Sequence, residues 1–151
     1  MVKVSTGARI GVISDTHGYL DPQVLEEFAG VDHIIHAGDI MDAATLEALG
    51  KVAPVTAVAG NMDDGKLGKL PREVTGKVEG YGKQDSPDLV VCGHDHLPAV
   101  EWIDGTLFLN PGSASAPHYE DDDPTIAIVE PGPAGLGVRF VRVPRRPDDE
   151  G

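Results

Sequence analysis

A chain of 151 residues, 40% hydrophobic, with 25 acidic residues against 12 basic ones, is long enough to bury one core and too apolar for a disordered acidic tail. Its formal net charge of -13 opposes nucleic-acid backbones and anionic membranes, and concentrates cations near the surface. The single cysteine, Cys92, excludes an intrachain disulfide, no run approaches the ~20 apolar residues of a spanning helix, and the start lacks a signal peptide's apolar stretch; the expectation is a soluble cytoplasmic protein without membrane contact.

Residues 1–9 are expected to be a loose leader or an extension of the first strand, residues 10–144 a single domain, and residues 145–151 a frayed tail. Ile10–Ile13 carries no charge and reads as a buried strand; it runs into Ser14-Asp15-Thr16-His17-Gly18. Asp21-Pro22 marks a helix start, with Val24, Leu25 and Phe28 as its apolar stripe and Gly30 as its end. Val31–Ala37 is the next strand, leading to Gly38-Asp39. Asp42–Leu49 is a short helix with Leu46 and Leu49 inward, stopped by Gly50, and Val52–Ala59 is a third strand leading to Gly60-Asn61. Strands alternating with helices are the signature of parallel βαβ units.

The second half is rich in strands. Glu73–Glu79 is expected to be one, and Asp88–Cys92 another, buried and leading to Gly93-His94-Asp95-His96. Val100–Ile103 and Thr106–Leu109 form a hairpin turned by Asp104-Gly105. Asn110-Pro111-Gly112-Ser113 reads as a tight turn, Pro117–Pro124 as an acidic loop, and Thr125–Val129 and Gly137–Val143 as two closing strands. The fold class is α/β, two packed and mostly mixed sheets with helices outside.

Three strand ends therefore deliver Asp15 and His17, Asp39, and Asn61, and a fourth delivers His94 and His96. Oxygen and imidazole donors of this kind suit Mn²⁺, Zn²⁺, Fe²⁺, Ni²⁺ or Co²⁺. Asp39, placed centrally, could bridge two ions. Two ions roughly 3.5–4 Å apart can clamp a phosphoryl group and activate a hydroxide as nucleophile. Residues two apart in a straight strand face opposite ways, so Asp15 can meet His17 only if the backbone leaves strand geometry there.

These motifs, Asp15-Thr16-His17, Gly38-Asp39, Gly60-Asn61-Met62-Asp63, Gly93-His94-Asp95-His96 and Asn110-Pro111-Gly112-Ser113, resemble the calcineurin-like metallophosphoesterase superfamily, and within it the small phosphodiesterase branch that includes the retromer subunit Vps29. The likeness runs from Ile10 to about Pro117. It implies one metal held by Asp15, His17, Asp39 and His96, and another held by Asp39, Asn61 and His94. It also implies a catalytic set of Asp39, Asn61 and His94, with Asn61 orienting the phosphate. The cofactor implied is one or two divalent ions, manganese first, with Ni, Co, Zn or Fe as alternatives. The substrate implied is a small phosphate ester, with nucleic acid disfavoured by charge, and a homodimer is an expectation by analogy with the branch.

One departure stands out. The branch's HGH motif is absent, since no histidine lies between Glu73 and Asp88, and the chain is expected to be shortened between residues 74 and 88. Asp63 or Asp64 could compensate as a ligand. The alternative is a Vps29-like non-catalytic interaction module, or a nucleotide or metal sensor. Of the remaining groups, His33 and His36 read as structural, with His36 bracing the loop at Asp39. His118 reads as a substrate contact or an exposed ring, Cys92 as a small core residue, and Asp121–Asp123 as a solvated loop.

Overall fold

A computed structural model describes residues 2–4, 7–40, 42–59, 74–78, 87–92, 98–115, 123–132 and 135–144. In chain order the elements are β1 (Val2–Val4), β2 (Ile10–Ile13), α1 (Pro22–Glu27), β3 (His33–His36), α2 (Ala43–Gly50), β4 (Val55–Ala57), β5 (Val74–Val78), β6 (Leu89–Val91), β7 (Pro98–Ile103), β8 (Thr106–Pro111), β9 (Thr125–Gly132) and β10 (Gly135–Arg142). They form two mixed five-stranded sheets, ordered β1-β5-β6-β8-β7 and β10-β9-β2-β3-β4. In the second sheet β2, β3 and β4 run parallel, as the βαβ reading requires, and β9 returns antiparallel to β2.

β2 lies at the centre of its sheet, and its alternation assigns it to two cores. Ile10 and Val12 face the other sheet, where they join Ile35, Leu89, Val91, Leu107, Leu109, Ala127 and Val129. Ile13 faces outward with Ile34, Ile126 and Ile128, under Val24 and Phe28 of the α1 region and Leu49 of α2. A strand covered on both sides favours apolar side chains throughout, and Ile10–Ile13 carries no polar one. The result is two sheets packed face to face, with α1 and α2 on the outer face of the second.

Both helices begin as the sequence indicates. The Asp21 side chain accepts from the Gln23 N–H at 2.9 Å ahead of Pro22, and the Asp42 side chain accepts from the Ala44 N–H at 2.9 Å. Asp104 and Gly105 both have positive φ (50° and 83°), the primed turn that matches the twist of the β7–β8 hairpin.

Several expectations are corrected. Val2–Val4 neither frays nor extends β2; it crosses to the other sheet and pairs parallel with β5, burying Val2 in the inter-sheet core. Thr45, not Leu46, joins Leu49 on the buried face of α2, and Gly50 is that helix's last residue rather than its stop, with Lys51 as cap. Asn110-Pro111 is still strand, since β8 continues to Pro111 and the turn starts at Gly112. Cys92 is exposed, because β6 ends at Val91 and the next position leaves the core. No helix among the described residues is long and apolar enough to cross a membrane.

Gly11 meets the outer core at its tightest point. A Cβ there would lie 2.8 Å from the ring of Phe28, which is completely buried and has nowhere to retreat. Gly11→Ala is expected to destabilise the fold by about 1–3 kcal/mol, read by urea denaturation. His33 supplies a pH test. Its Nε2 lies 2.8 Å from Thr56 Oγ1, tying β3 to β4, and burial pushes its imidazole below the ordinary value of 6.5. The unfolded chain then takes up this proton near pH 6.5 while the folded chain takes it up only at lower pH. The contribution is complete above that pH and lost as pH falls through the window beneath it. His33→Gln should flatten this part of the stability–pH curve.

Candidate metal centre

The site forms where β2 and β3 end side by side. Beyond the strands the two chains continue as a ladder: the Asp15 N–H donates to Gly38 O (2.9 Å), the His17 N–H to Asp39 O (3.0 Å) and the Gly18 N–H to Ile40 O (2.9 Å). This ladder is not strand. Asp15, His17 and Asp39 have φ of 53°, 48° and 54°, and Gly18 and Gly38 have 80° and 109°. The convergence that a straight strand forbids is achieved by left-handed backbone at the polar residues themselves, and not only at the glycines beside them. Asp tolerates this region better than most residues, yet each such position costs about 1–2 kcal/mol.

The outcome is a cluster. Asp15, His17 and Asp39 each offer a ligand atom, and the three atoms lie within 4.8 Å of one another. Asp15 and Asp39 are buried, at 0% and 2% exposure, and His17 is half-buried. The Ser14 hydroxyl donates to Asp15 Oδ2 at 2.8 Å, and the other oxygen, Oδ1, lies 3.9 Å from His17 Nε2. Two buried carboxylates at this separation repel each other, and a divalent cation relieves the repulsion. Two oxygens and one imidazole are a donor set that fits Mn²⁺, Zn²⁺ or their neighbours.

Supporting groups hold the two loops. His36, fully buried, accepts from the Gly38 N–H at Nδ1 (3.2 Å), so the neutral ring carries its proton on Nε2. That nitrogen is 3.1 Å from Thr16 Oγ1, which donates on to Ile40 O at 3.3 Å. His36 thus braces the Asp39 loop as its position suggests, and through Thr16 it braces the Asp15 loop as well. From the far end of the chain, the Ser113 hydroxyl donates to Asp15 O (2.8 Å), and the Ser115 hydroxyl lies 2.7 Å from Thr16 O and 3.1 Å from Asp15 O. Ser115 and Thr16 escape sequence reasoning. Short polar residues in loops are common, and nothing local reveals a partner about a hundred positions away.

Of the expected site residues, Asp15, His17 and Asp39 are brought together. Asn61, His94 and His96 lie outside the described residues, as do Asp63, Asp64, His118, Asp121 and Asp122.

Comparison with known proteins agrees in scale with this architecture. A family model described as the calcineurin-like phosphoesterase superfamily domain matches residues 9–82 and 74–132. A probable metallophosphoesterase of Methanocaldococcus jannaschii is 39% identical over 132 residues, covering 72% of this chain and 69% of that protein. Among solved structures, one described as a novel archaeal phosphodiesterase superposes with a TM-score of 0.71 at 23% identity, covering 89% of this chain and 99% of its own. Wild-type Vps29 of Entamoeba histolytica, complexed with zinc, superposes with a TM-score of 0.65 at 21% identity, covering 89% and 98%.

Replacing His36 by Leu keeps the volume apolar but removes the acceptor of the Gly38 N–H. His36→Leu is expected to destabilise the fold by about 1–3 kcal/mol in urea denaturation, the usual cost of a buried donor left without its partner.

Proposed function

Because the chain belongs to the calcineurin-like phosphoesterase superfamily, we propose that it is a metal-dependent phosphoesterase acting on a small phosphate ester, a diester first. The observation that carries this reading is the buried Asp15, His17 and Asp39 cluster at adjacent parallel strand ends. In this reading Asp15, His17, Asp39 and His96 hold one cation, and Asp39, Asn61 and His94 hold a second. A divalent cation supplies Lewis acidity there, polarising a phosphoryl oxygen and making water acidic enough to react near neutral pH. The chain's own part is to fix the donors, with Asp39 shared between the two positions and Asn61 aligning the phosphate.

The preference for small substrates follows from charge, since a net charge of -13 repels long polyanions. The metal proposed is manganese, ahead of nickel, cobalt, zinc and iron, and the compartment proposed is the cytoplasm. A homodimer through a sheet edge completes the reading.

A second reading has its own support. No histidine lies between Glu73 and Asp88, where the branch's HGH motif would supply a ligand to the second cation. The family model also matches in two pieces that overlap over residues 74–82, in the same stretch. With that ligand gone, the second position has three protein donors from this set and binds weakly. A Vps29-like interaction module, or a sensor that binds without turnover, is the function that then remains. Retention of the acidic cluster argues against a module that binds no metal, because such a module has no use for two buried carboxylates.

The experiment is hydrolysis of bis-p-nitrophenyl phosphate by the full chain reconstituted with Mn²⁺, Ni²⁺ or Co²⁺. Turnover is expected, and Asp39→Ala should reduce it to the uncatalysed background. Absence of turnover with all three ions in protein that takes up metal favours the second reading.

A further inference from the structure

We propose that Ser113 and Ser115 are positioning residues for the cation site, acting through the backbone of Asp15 and His17. The proposal rests on the reading that those two side chains ligate the ion. It adds a clasp from the last third of the chain to Asp15, His17 and Asp39, the donors that lie within the first forty residues.

The peptide groups between Asp15 and His17 are gripped from two sides. On the N–H side the Gly38–Ile40 loop holds the His17 N–H through Asp39 O and, one peptide earlier, the Asp15 N–H through Gly38 O. Their C=O side is held by the serines. Asp15 O receives the Ser113 hydroxyl at 2.8 Å and Thr16 O the Ser115 hydroxyl at 2.7 Å, with Asp15 O also 3.1 Å from Ser115 Oγ. The peptide plane between Thr16 and His17 is therefore pinned at both ends, by Ser115 at its oxygen and by Asp39 O at its N–H. That plane fixes φ of His17, and the Asp15 carbonyl fixes ψ of Asp15. These two torsions aim the two side chains, and both residues sit in left-handed backbone that a free chain leaves readily.

The clasp is itself anchored. The Ala114 N–H donates to Ser14 O (3.0 Å), the Thr125 N–H to Ser113 O (2.9 Å), and the Ser115 N–H to Ser113 Oγ (3.2 Å). Ser113 and Ser115 are each 1% exposed, so water does not replace a lost hydroxyl without entering the core. An alanine at either position keeps the fold's shape but removes a donor to these carbonyls, the shorter of two on Asp15 O for Ser113 and the one on Thr16 O for Ser115, and the ligand loop can then relax toward ordinary φ.

A purely structural role and a positioning role differ in what they change. The test compares Mn²⁺ affinity by calorimetry with stability in urea, using the full chain. The variants are Ser115→Ala, Ser113→Ala and a control, Thr106→Val. The Thr106 hydroxyl donates to Pro87 O at 2.8 Å in the other sheet, a comparable bond remote from the cluster. Positioning predicts that each serine variant weakens Mn²⁺ binding about 10- to 100-fold, the usual effect of losing a group that orients a ligand. Thr106→Val should lose stability and keep wild-type affinity. Ser115→Cys, which retains a weak donor, should recover part of the loss, and it carries the comparison with Ser113→Ala if Ser115→Ala does not fold. Serine variants that fold, lose stability and bind Mn²⁺ as tightly as wild type overturn the proposal while leaving the ligand assignment intact. Wild-type protein that takes up no Mn²⁺ overturns the assignment beneath it.

Discussion

The whole site depends on one constraint: three metal-donor candidates occupy backbone conformations that only neighbouring chain can enforce. Asp15, His17 and Asp39 are left-handed, and none is a glycine. Isolated loops of this sequence would not hold them there. Two parallel strands, registered so that Ile13 pairs with His36, bring the loops side by side, and the hydrogen bonds continuing past the strand ends lock each loop against the other. Register, strain and donor geometry are therefore one problem. A one-residue slip of β2 against β3 would scatter the donors and also exchange the faces of Ile10, Val12 and Ile13, driving a side chain into the space that Gly11 leaves for Phe28.

The rest of the fold supplies rigidity to that junction. β2 is central in its sheet and covered by the inter-sheet core on one face and by α1 and α2 on the other. Bonding to β3 and β9 leaves it no free edge. Chemistry placed at the end of such a strand inherits its low mobility, which is what preorganised ligands need. The contrast is β7, an edge strand exposed along its whole length, with Trp102 49% exposed.

What the sequence reveals and what it hides divide along a physical line. Ile10–Ile13 is legible because burial on two faces leaves an unbroken apolar run, and the next strand is legible through the Ile34-Ile35 pair at its centre. Asp21-Pro22 and Asp104-Gly105 are legible because caps and primed turns accept few residue types. His36 is legible as a brace because it is a polar residue inside a strand and must find partners. Hidden is the sheet to which Val2–Val4 belongs, since three residues carry no information about a partner seventy positions away. Hidden too is the exposure of Cys92, which turns on a strand ending one residue earlier than its apolar character suggests. The left-handed torsions at Asp15 and His17 are half-legible: some departure from strand geometry is required, but glycine, rather than the donors, is the expected place for it. Ser115 lies beyond legibility, because a serine in a loop has no periodicity and its partner is fixed only by the closed fold.

The ladder between the ends of β2 and β3 also separates the contacts of the site by their span along the chain. Asp15 and Asp39 are separated by a short βαβ crossover, so their meeting closes a small loop and is entropically inexpensive. The serines that grip the Asp15 loop lie some hundred residues further on, and their contacts close a far longer loop at a greater entropic cost. The donors at the end of β2 thus owe their final alignment to groups that the chain supplies about a hundred residues later.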